Sequence, residues 1–250
     1  MKKEKFRVAV AGGAGFWGAF YLRAFSLNPD CEVVALVDTA VGRREKFAAR
    51  YGIPSVFDNV DDLLKADIPD IVSTVLPVSS SYDAVLACAE AGVSVISCEK
   101  PISESLVKAD EMVNLCREKK IPFVCGTALW EIMHLDRVHG WIREGHIGDI
   151  QSISIPSGIS EYVSGNGCVT LNFLRFSTDT EAEWVEGRTW PAVAAETLDE
   201  CGVSGVIGLS DGNTCAIPAP EEADPKVSGI IIKGEKGNVQ VTGPKPVFTI

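Results

Sequence analysis

The chain has little of what several function classes require. Only three histidines occur among its 250 residues, and its eight cysteines (Cys31, Cys88, Cys98, Cys116, Cys125, Cys168, Cys201 and Cys215) form no C-x-x-C pair. The spacing of a structural zinc site or a dithiol redox motif is therefore missing. The cysteines sit mostly inside apolar runs, so they read as buried, reduced thiols with no metal among them. Basic residues are also scarce: 23 Lys and Arg against 34 Asp and Glu leave a formal net charge of −11, with no local basic patch. Such a chain is repelled by nucleic acid and by anionic membrane surfaces. No apolar run reaches the length of a bilayer span, and there is no internal repeat, low-complexity tract or long linker. The basic lead-in Met1 to Arg7 precedes apolar Val8 to Phe20. No small-residue cleavage site precedes the first expected strand and the glycines fit a nucleotide turn, so the lead-in reads as a solvated start rather than a secretory signal, and a cytoplasmic location is expected.

What is present starts with Arg7 to Asp38. An apolar run, Val8 to Ala11, passes into Gly13-Ala14-Gly15-Phe16-Trp17-Gly18, and Asp38 closes the next apolar run, Val33 to Val37. This is a dinucleotide-binding fingerprint in strand, turn, helix and strand context. Gly13 allows the tight turn, Gly15 lets the backbone approach a pyrophosphate, and Gly18 lets the helix pack closely on the strand. Asp38 stands where a carboxylate accepts hydrogen bonds from a ribose 2′-OH, which favours NAD over NADP. Arg43 and Arg44 would offset the repulsion of a 2′-phosphate, but at helical spacing they read as solvated charges.

Beyond the turn, strand and helix alternate. Helices are expected over Trp17 to Leu27, Gly42 to Tyr51, Asn59 to Leu64, Ser81 to Ala91 and Ser103 to about Lys119. Leu106, Val107, Met112, Val113 and Leu115 form the expected core side of the last. Strands are expected over Glu32 to Asp38, Ser55 to Phe57, Asp70 to Leu76, Val93 to Cys98 and Ile121 to Cys125. The alternation predicts an α/β domain, a doubly wound parallel (Rossmann) sheet over residues 1–126, with ligands at the carboxyl ends of its strands. From residue 127 the rhythm changes. Helices at Ile132 to Glu144 and Cys168 to Ser177 accompany strand-like runs at Ile150 to Ile155, Val203 to Leu209, Thr214 to Ile217, Val227 to Ile232 and Asn238 to Val241. These predict a second, α+β domain over residues 127–250 on a mostly antiparallel sheet.

Two further strand ends carry chemistry. The backbone of Leu76-Pro77-Val78-Ser79 can border a nicotinamide ribose. Lys100, in Glu99-Lys100-Pro101, stands where it can donate a proton to a substrate oxygen, or polarise it, while hydride moves. On position alone a surface salt bridge between Lys100 and Glu99 accounts for the same residues.

These motifs resemble the Gfo/Idh/MocA oxidoreductases (glucose-fructose oxidoreductase, inositol dehydrogenase and rhizopine-catabolism proteins). The resemblance rests on the glycine turn, on Ala89 to Pro101 with its Glu-Lys-Pro signature, and on Ile142 to Ile150. It implies a Lys100 that acts in catalysis and touches substrate, with Gly13, Ala14, Gly15, Phe16, Trp17, Gly18, Asp38, Leu76, Pro77, Glu99 and Lys100 around the cofactor. It also implies an NAD-dependent oxidoreductase that moves a hydride between nicotinamide and a sugar, sugar derivative or polyol. An uncovered edge of the second sheet would favour a homo-oligomer.

The departures from the family are specific. Tyr82 stands where relatives often carry a histidine, and Val169 and Asn172 stand where they commonly show a histidine and an aspartate one helical turn apart. Valine cannot transfer a proton; Asn172 can hydrogen-bond a hydroxylated substrate or serve as a helix-face amide. Tyr82, Asn172 and His134, the histidine nearest the domain junction, join Lys100 as candidate substrate contacts. With no carboxylate partner or metal-ligand spacing evident, all three histidines also read as surface or interface imidazoles, and the tryptophans as packing or subunit-interface residues. The family's chains are usually longer than this one, which ends at Ile250 after a hairpin at Lys233 to Gly237, so a shortened second sheet is expected. The alternative reading is a catalytically inactive NAD(H)-binding regulatory or partner subunit.

Overall fold

A computed structural model describes residues 4–126, 135–159, 165, 167–190, 192, 201–227, 229–241 and 247–249. The chain divides into two compact units, Met1–Thr127 and Ala128–Ile250. Among the described residues no helix is long and apolar enough to cross a membrane.

In the first unit, strands β1 (Phe6–Ala11), β2 (Cys31–Val37), β3 (Ser55–Phe57), β4 (Ile71–Thr74), β5 (Val95–Glu99) and β6 (Phe123–Gly126) alternate with helices. These are α1 (Phe16–Leu27), α2 (Val41–Tyr51), α3 (Val60–Ala66), α4 (Val78–Ala91) and α5 (Leu106–Glu118). The six strands form one parallel sheet in the order β3-β2-β1-β4-β5-β6. The expected doubly wound architecture is borne out. Strand β1 shows why it forms: Val8, Ala9, Val10 and Ala11 are all fully buried, as a central parallel strand must be. Its two faces feed different cores. Val8 and Val10 pack with Leu22 of α1 and Ala48 of α2, while Ala9 and Ala11 pack with residues of α3, α4 and α5 such as Leu63, Val85 and Met112. The strand order reverses between β1 and β4, which opens a crevice at their carboxyl ends.

Helix starts differ from the expected ones for local reasons. Asn59 accepts a bond from the amide of Asp62 and caps α3. Ser105, not Ser103, caps α5 by accepting from the amide of Lys108. That places Leu106 and Val107 in an exposed first turn rather than in the core, and Met112 and Cys116 carry the buried face.

The second unit has α6 (Leu135–Arg143), β7 (Ile150–Ser154), α7 (Cys168–Thr178), β8 (Ala182–Trp190), β9 (Gly202–Leu209), β10 (Thr214–Ile217), β11 (Ile230–Gly234), β12 (Asn238–Val241) and β13 (Val247–Thr249). Its sheet runs β13-β12-β11-β7-β10-β9-β8 and is antiparallel except for the β7–β10 pair. One face carries the core. Ile153, Ile207, Ile230, Ile232, Val239 and Val241 pack with Leu135 and Val138 of α6 and Val169, Phe173 and Leu174 of α7. The expected α+β domain on a mostly antiparallel sheet is therefore present.

Ile232 is fully buried in this second core. Ile232→Ala is expected to cost about 2–5 kcal/mol through lost burial and a residual cavity, read as a lower urea midpoint by tryptophan fluorescence.

Candidate nucleotide-binding site

The crevice between β1 and β4 is a cleft of about 590 Å³. Gly12 and Gly15 form one side and Val75, Leu76 and Pro77 another. Val37, Asp38, Thr39 and Arg43 follow β2; Asp58, Asn59, Val60 and Asp61 follow β3; Ser80, Asp83 and Ala84 come from α4. Of the expected contacts, Gly15, Asp38, Leu76 and Pro77 line it. The β3 loop and Gly12 were missed, although the carboxyl-end rule applied to β3 points to Asp58 and Asn59.

The glycines divide their work differently from the expected scheme. Gly12, at φ +78, makes the left-handed turn, and a Cβ there would lie 2.1 Å from the carbonyl oxygen of Val75. Gly13 instead faces the packed interior, where a Cβ would meet Leu36 at 2.4 Å. Gly18 is the closest approach, since its Cβ would stand 2.0 Å from the oxygen of Gly12. Helix α1 consequently begins tight against the turn. Its N-cap, Gly15, supplies no side-chain bond and its first turn holds no acid. The first amides of a helix have no intrahelical partners. Asn59 and Ser105 each cap one such amide of α3 and α5, whereas α1, like α2 and α4, has no side-chain cap, and at the glycine turn its amides are available to an anion. The open cleft, lined at the turn by Gly12 and Gly15, and the uncapped helix start fit a dinucleotide pyrophosphate.

Asp38 is held in place by two backbone amides. Its Oδ2 accepts from the amide of Ala14 at 3.1 Å and its Oδ1 from that of Ala40 at 2.9 Å, so the carboxylate faces the cleft with lone pairs to spare. Arg44 corrects the sequence reading. It is buried at 7% exposure, because its guanidinium pairs with Asp58 and donates from Nη1 to the carbonyl oxygen of Asp38 at 2.9 Å. Arg43 is exposed and lines the cleft, while the aromatic trio Phe16, Trp17 and Phe20 forms an exposed cluster with ring centroids 5.2–5.7 Å apart.

At the end of β5, Glu99 is buried and accepts a hydrogen bond from the hydroxyl of Tyr21 in α1. Burial first, then that bond, raises the Tyr21 phenol above its ordinary value. Lys100 follows, half-buried, joined to Pro101 by a cis peptide bond. Strands β4 and β5 align Thr74 with Cys98, so the Leu76–Pro77 and Lys100–Pro101 turns leave one sheet edge side by side. The buried Cys98 thiol donates to the carbonyl oxygen of Glu99 at 3.3 Å, and side-chain hydrogen bonding with Cys125, its partner across β5 and β6, holds its pKa below the ordinary thiol value against the effect of burial. Cys125 is exposed rather than buried, whereas burial pushes Cys88 and Cys215 up to about 12.

Other sequence candidates lie elsewhere. Tyr82 is turned to α5, where its hydroxyl donates to Glu111, and it is not among the cleft residues. In the second unit Val169 is buried in the core, and Asn172 lines a 280 Å³ cleft with His139, Arg175, Phe176, Asp179, Thr180 and Glu181. His146 does have a carboxylate neighbour, Glu144, at 2.9 Å. His134 lies outside the described residues. Among the described residues no three His, Cys, Asp or Glu side chains come together as a metal site.

Comparison with known proteins follows this geometry. Residues 6–127 match GFO_IDH_MocA, an oxidoreductase family with an NAD-binding Rossmann fold. Over this stretch the chain is similar to that family. It is 31% identical over 118 residues to D-glucoside 3-dehydrogenase of Escherichia coli (strain K12), covering 47% of this chain and 33% of that protein. It is 28% identical over 145 residues to inositol 2-dehydrogenase of Rhizobium meliloti (strain 1021), 58% of this chain and 43% of that one. The matched stretch thus spans only between a third and a half of these curated relatives. A solved structure covers more. An oxidoreductase from Agrobacterium radiobacter, in complex with NAD+, L-tartaric acid and magnesium, superposes with a TM-score of 0.78 at 20% identity over 98% of this chain and 79% of its own. At that identity the likeness carries the fold.

The two kinds of glycine separate in an experiment. Gly18→Ala puts a methyl 2.0 Å from the Gly12 oxygen, and a loss of about 1–3 kcal/mol of stability is expected in thermal unfolding, together with weaker nucleotide binding. Gly42→Ala, in α2 with nothing within 4 Å of its Cβ, is expected to be neutral or to stabilise by under about 1 kcal/mol.

Proposed function

We propose that the chain is an NAD-dependent oxidoreductase acting on a CH–OH group of a sugar, sugar derivative or polyol, with residues 1–126 holding the cofactor and residues 127–250 serving substrate and assembly. The observation that carries this reading is the switch-point cleft, with its fixed Asp38 carboxylate and uncapped α1, in the same sheet as a lysine at the end of β5. The curated relatives are named as dehydrogenases of a glucoside and of inositol, which supports the substrate class.

When bound, NAD supplies the hydride acceptor or, reduced, the donor. The chain's own residues do the rest. The glycine turn and α1 amides hold the pyrophosphate, Asp38 orients the adenosine ribose, and Leu76 and Pro77 border the nicotinamide half. Lys100 takes the hydroxyl proton during oxidation and returns it during reduction, while Glu99, fixed by Tyr21, holds the strand end from which Lys100 projects. Carboxylates Asp38, Asp58, Asp61 and Asp83 outnumber Arg43 among the charged cleft residues, which disfavours the extra phosphate of NADP.

A second reading, an NAD(H)-binding subunit without turnover, draws support from Val169, an apolar core residue at a position aligned with the family's acid/base histidine. NADH fluorescence titration followed by a panel of sugars and polyols decides between them. Turnover that falls at least about a hundredfold in Lys100→Ala, with NADH affinity kept, is expected of the enzyme. Binding with no turnover across the panel favours the second reading, and an absence of binding removes both.

The reading extends to a cytoplasmic homo-oligomer. The reduced cysteines suit a reducing compartment, which cell fractionation checks. Strand β8, a sheet edge with Trp184 and Val185 exposed, offers a pairing surface. Sedimentation at monomer mass across concentrations would overturn that assembly.

A further inference from the structure

Arg44 is out of character for its helix. Its neighbours Arg43, Glu45 and Lys46 are exposed, yet Arg44 is 7% exposed and its Nε has no hydrogen-bond partner. Burying a guanidinium costs desolvation that a single pairing rarely offsets, so the placement calls for a local reason. The bonds supply one. Nη1 donates to the backbone oxygen of Asp38 and also to the Asp58 carboxylate. Asp38 begins the β2–α2 loop, and its side chain is already fixed by the amides of Ala14 and Ala40. Asp58 begins the β3–α3 loop, next to Asn59, the cap of α3. One buried cation therefore ties together the two loops that line the cleft beside Asp38. It also offsets a carboxylate that would otherwise stand unpaired beside an anionic ligand.

We propose that Arg44 is a positioning residue for the adenosine half of the nucleotide: its bridge to Asp58 and Asp38 sets the two loops at the spacing that ADP-ribose requires. Preorganisation of this kind removes ordering cost at the moment of binding. The proposal deepens the NAD-binding reading above and rests on it. It gives Arg44 no contact with the nucleotide and no part in hydride transfer.

The test uses the full chain and three probes: NADH, ADP-ribose, which keeps the adenosine half, and reduced nicotinamide mononucleotide, which lacks it. In Arg44→Ala, dissociation constants for NADH and ADP-ribose are expected to rise by at least about tenfold, the scale of a lost charge-assisted hydrogen bond, while that for the mononucleotide stays put. Arg44→Lys keeps the charge and is expected to recover part of the loss. Asp58→Ala is expected to weaken ADP-ribose as well, and the double variant to show less than the sum of the two losses. Unchanged ADP-ribose affinity in Arg44→Ala overturns the proposal. So does an equal weakening of mononucleotide and ADP-ribose accompanied by a lower melting temperature, the mark of a purely structural residue. If the unmodified protein binds neither NADH nor ADP-ribose, the nucleotide reading itself fails and this inference falls with it. Weakening confined to the variants cannot be mistaken for that outcome.

Discussion

Gly18 has no side chain, and its Cα lies so near the turn after β1 that a Cβ would be 2.0 Å from the Gly12 oxygen. That approach governs where α1 starts and how it runs. With the helix drawn onto the strand, Leu22 reaches the core shared with Val8 and Val10, the uncapped amides of the first turn open toward the cleft, and Tyr21 arrives within bonding distance of Glu99. Packing, anion recognition and the support of the Lys100 turn thus draw on a single close contact. Moving α1 outward by the width of a methyl group would disturb all three, because a densely packed interior transmits displacement rather than absorbing it.

The cleft then faces an electrostatic problem. Its lining is rich in carboxylates, and its proposed ligand is an anion. The fold separates the two. In the proposed site the backbone amides would meet the pyrophosphate, where they carry partial positive charge without side-chain entropy, and the acids would sit at the ribose end, where hydroxyl donors suit them. Asp38 is tied down by two amides and Asp58 by Arg44. Each carboxylate so restrained has a defined direction, and direction is what distinguishes a hydroxyl-binding site from general repulsion.

The sequence made some of this legible and hid the rest for physical reasons. Central strands announced themselves because burial on both faces demands continuous apolar runs, as in Val8 to Ala11. The glycine turn and Asp38 were legible because their spacing is imposed by a ligand's dimensions. Strand β8 was missed: every residue from Ala182 to Arg188 is exposed, so no face is buried and no alternation marks it. Trp184 lies over Gly208, where a Cβ would meet the indole at 2.0 Å; that pairing is invisible until the strands are side by side. Arg44 read as a surface charge since helical spacing describes one helix, while its partners come from other segments. The site's second tier, Tyr21 on Glu99 and Cys125 on Cys98, was illegible for the same reason. These contacts join residues 78 and 27 positions apart, and nothing local records them.

The bond from Tyr21 to Glu99 makes two parts of the chain depend on one another unequally. One partner belongs to the helix that follows the glycine turn and the other to the Glu-Lys-Pro signature, so two motifs that look independent along the sequence share a buried polar contact. The phenol hydroxyl lies between the Glu99 carboxylate and the carbonyl oxygen of Gly126, 3.3 Å away, so removing Tyr21 takes a donor from buried Glu99, whereas removing Glu99 still leaves the phenol an acceptor. The dependence therefore runs one way: the Glu-Lys-Pro turn leans on the helix after the glycine turn more than that helix leans on it.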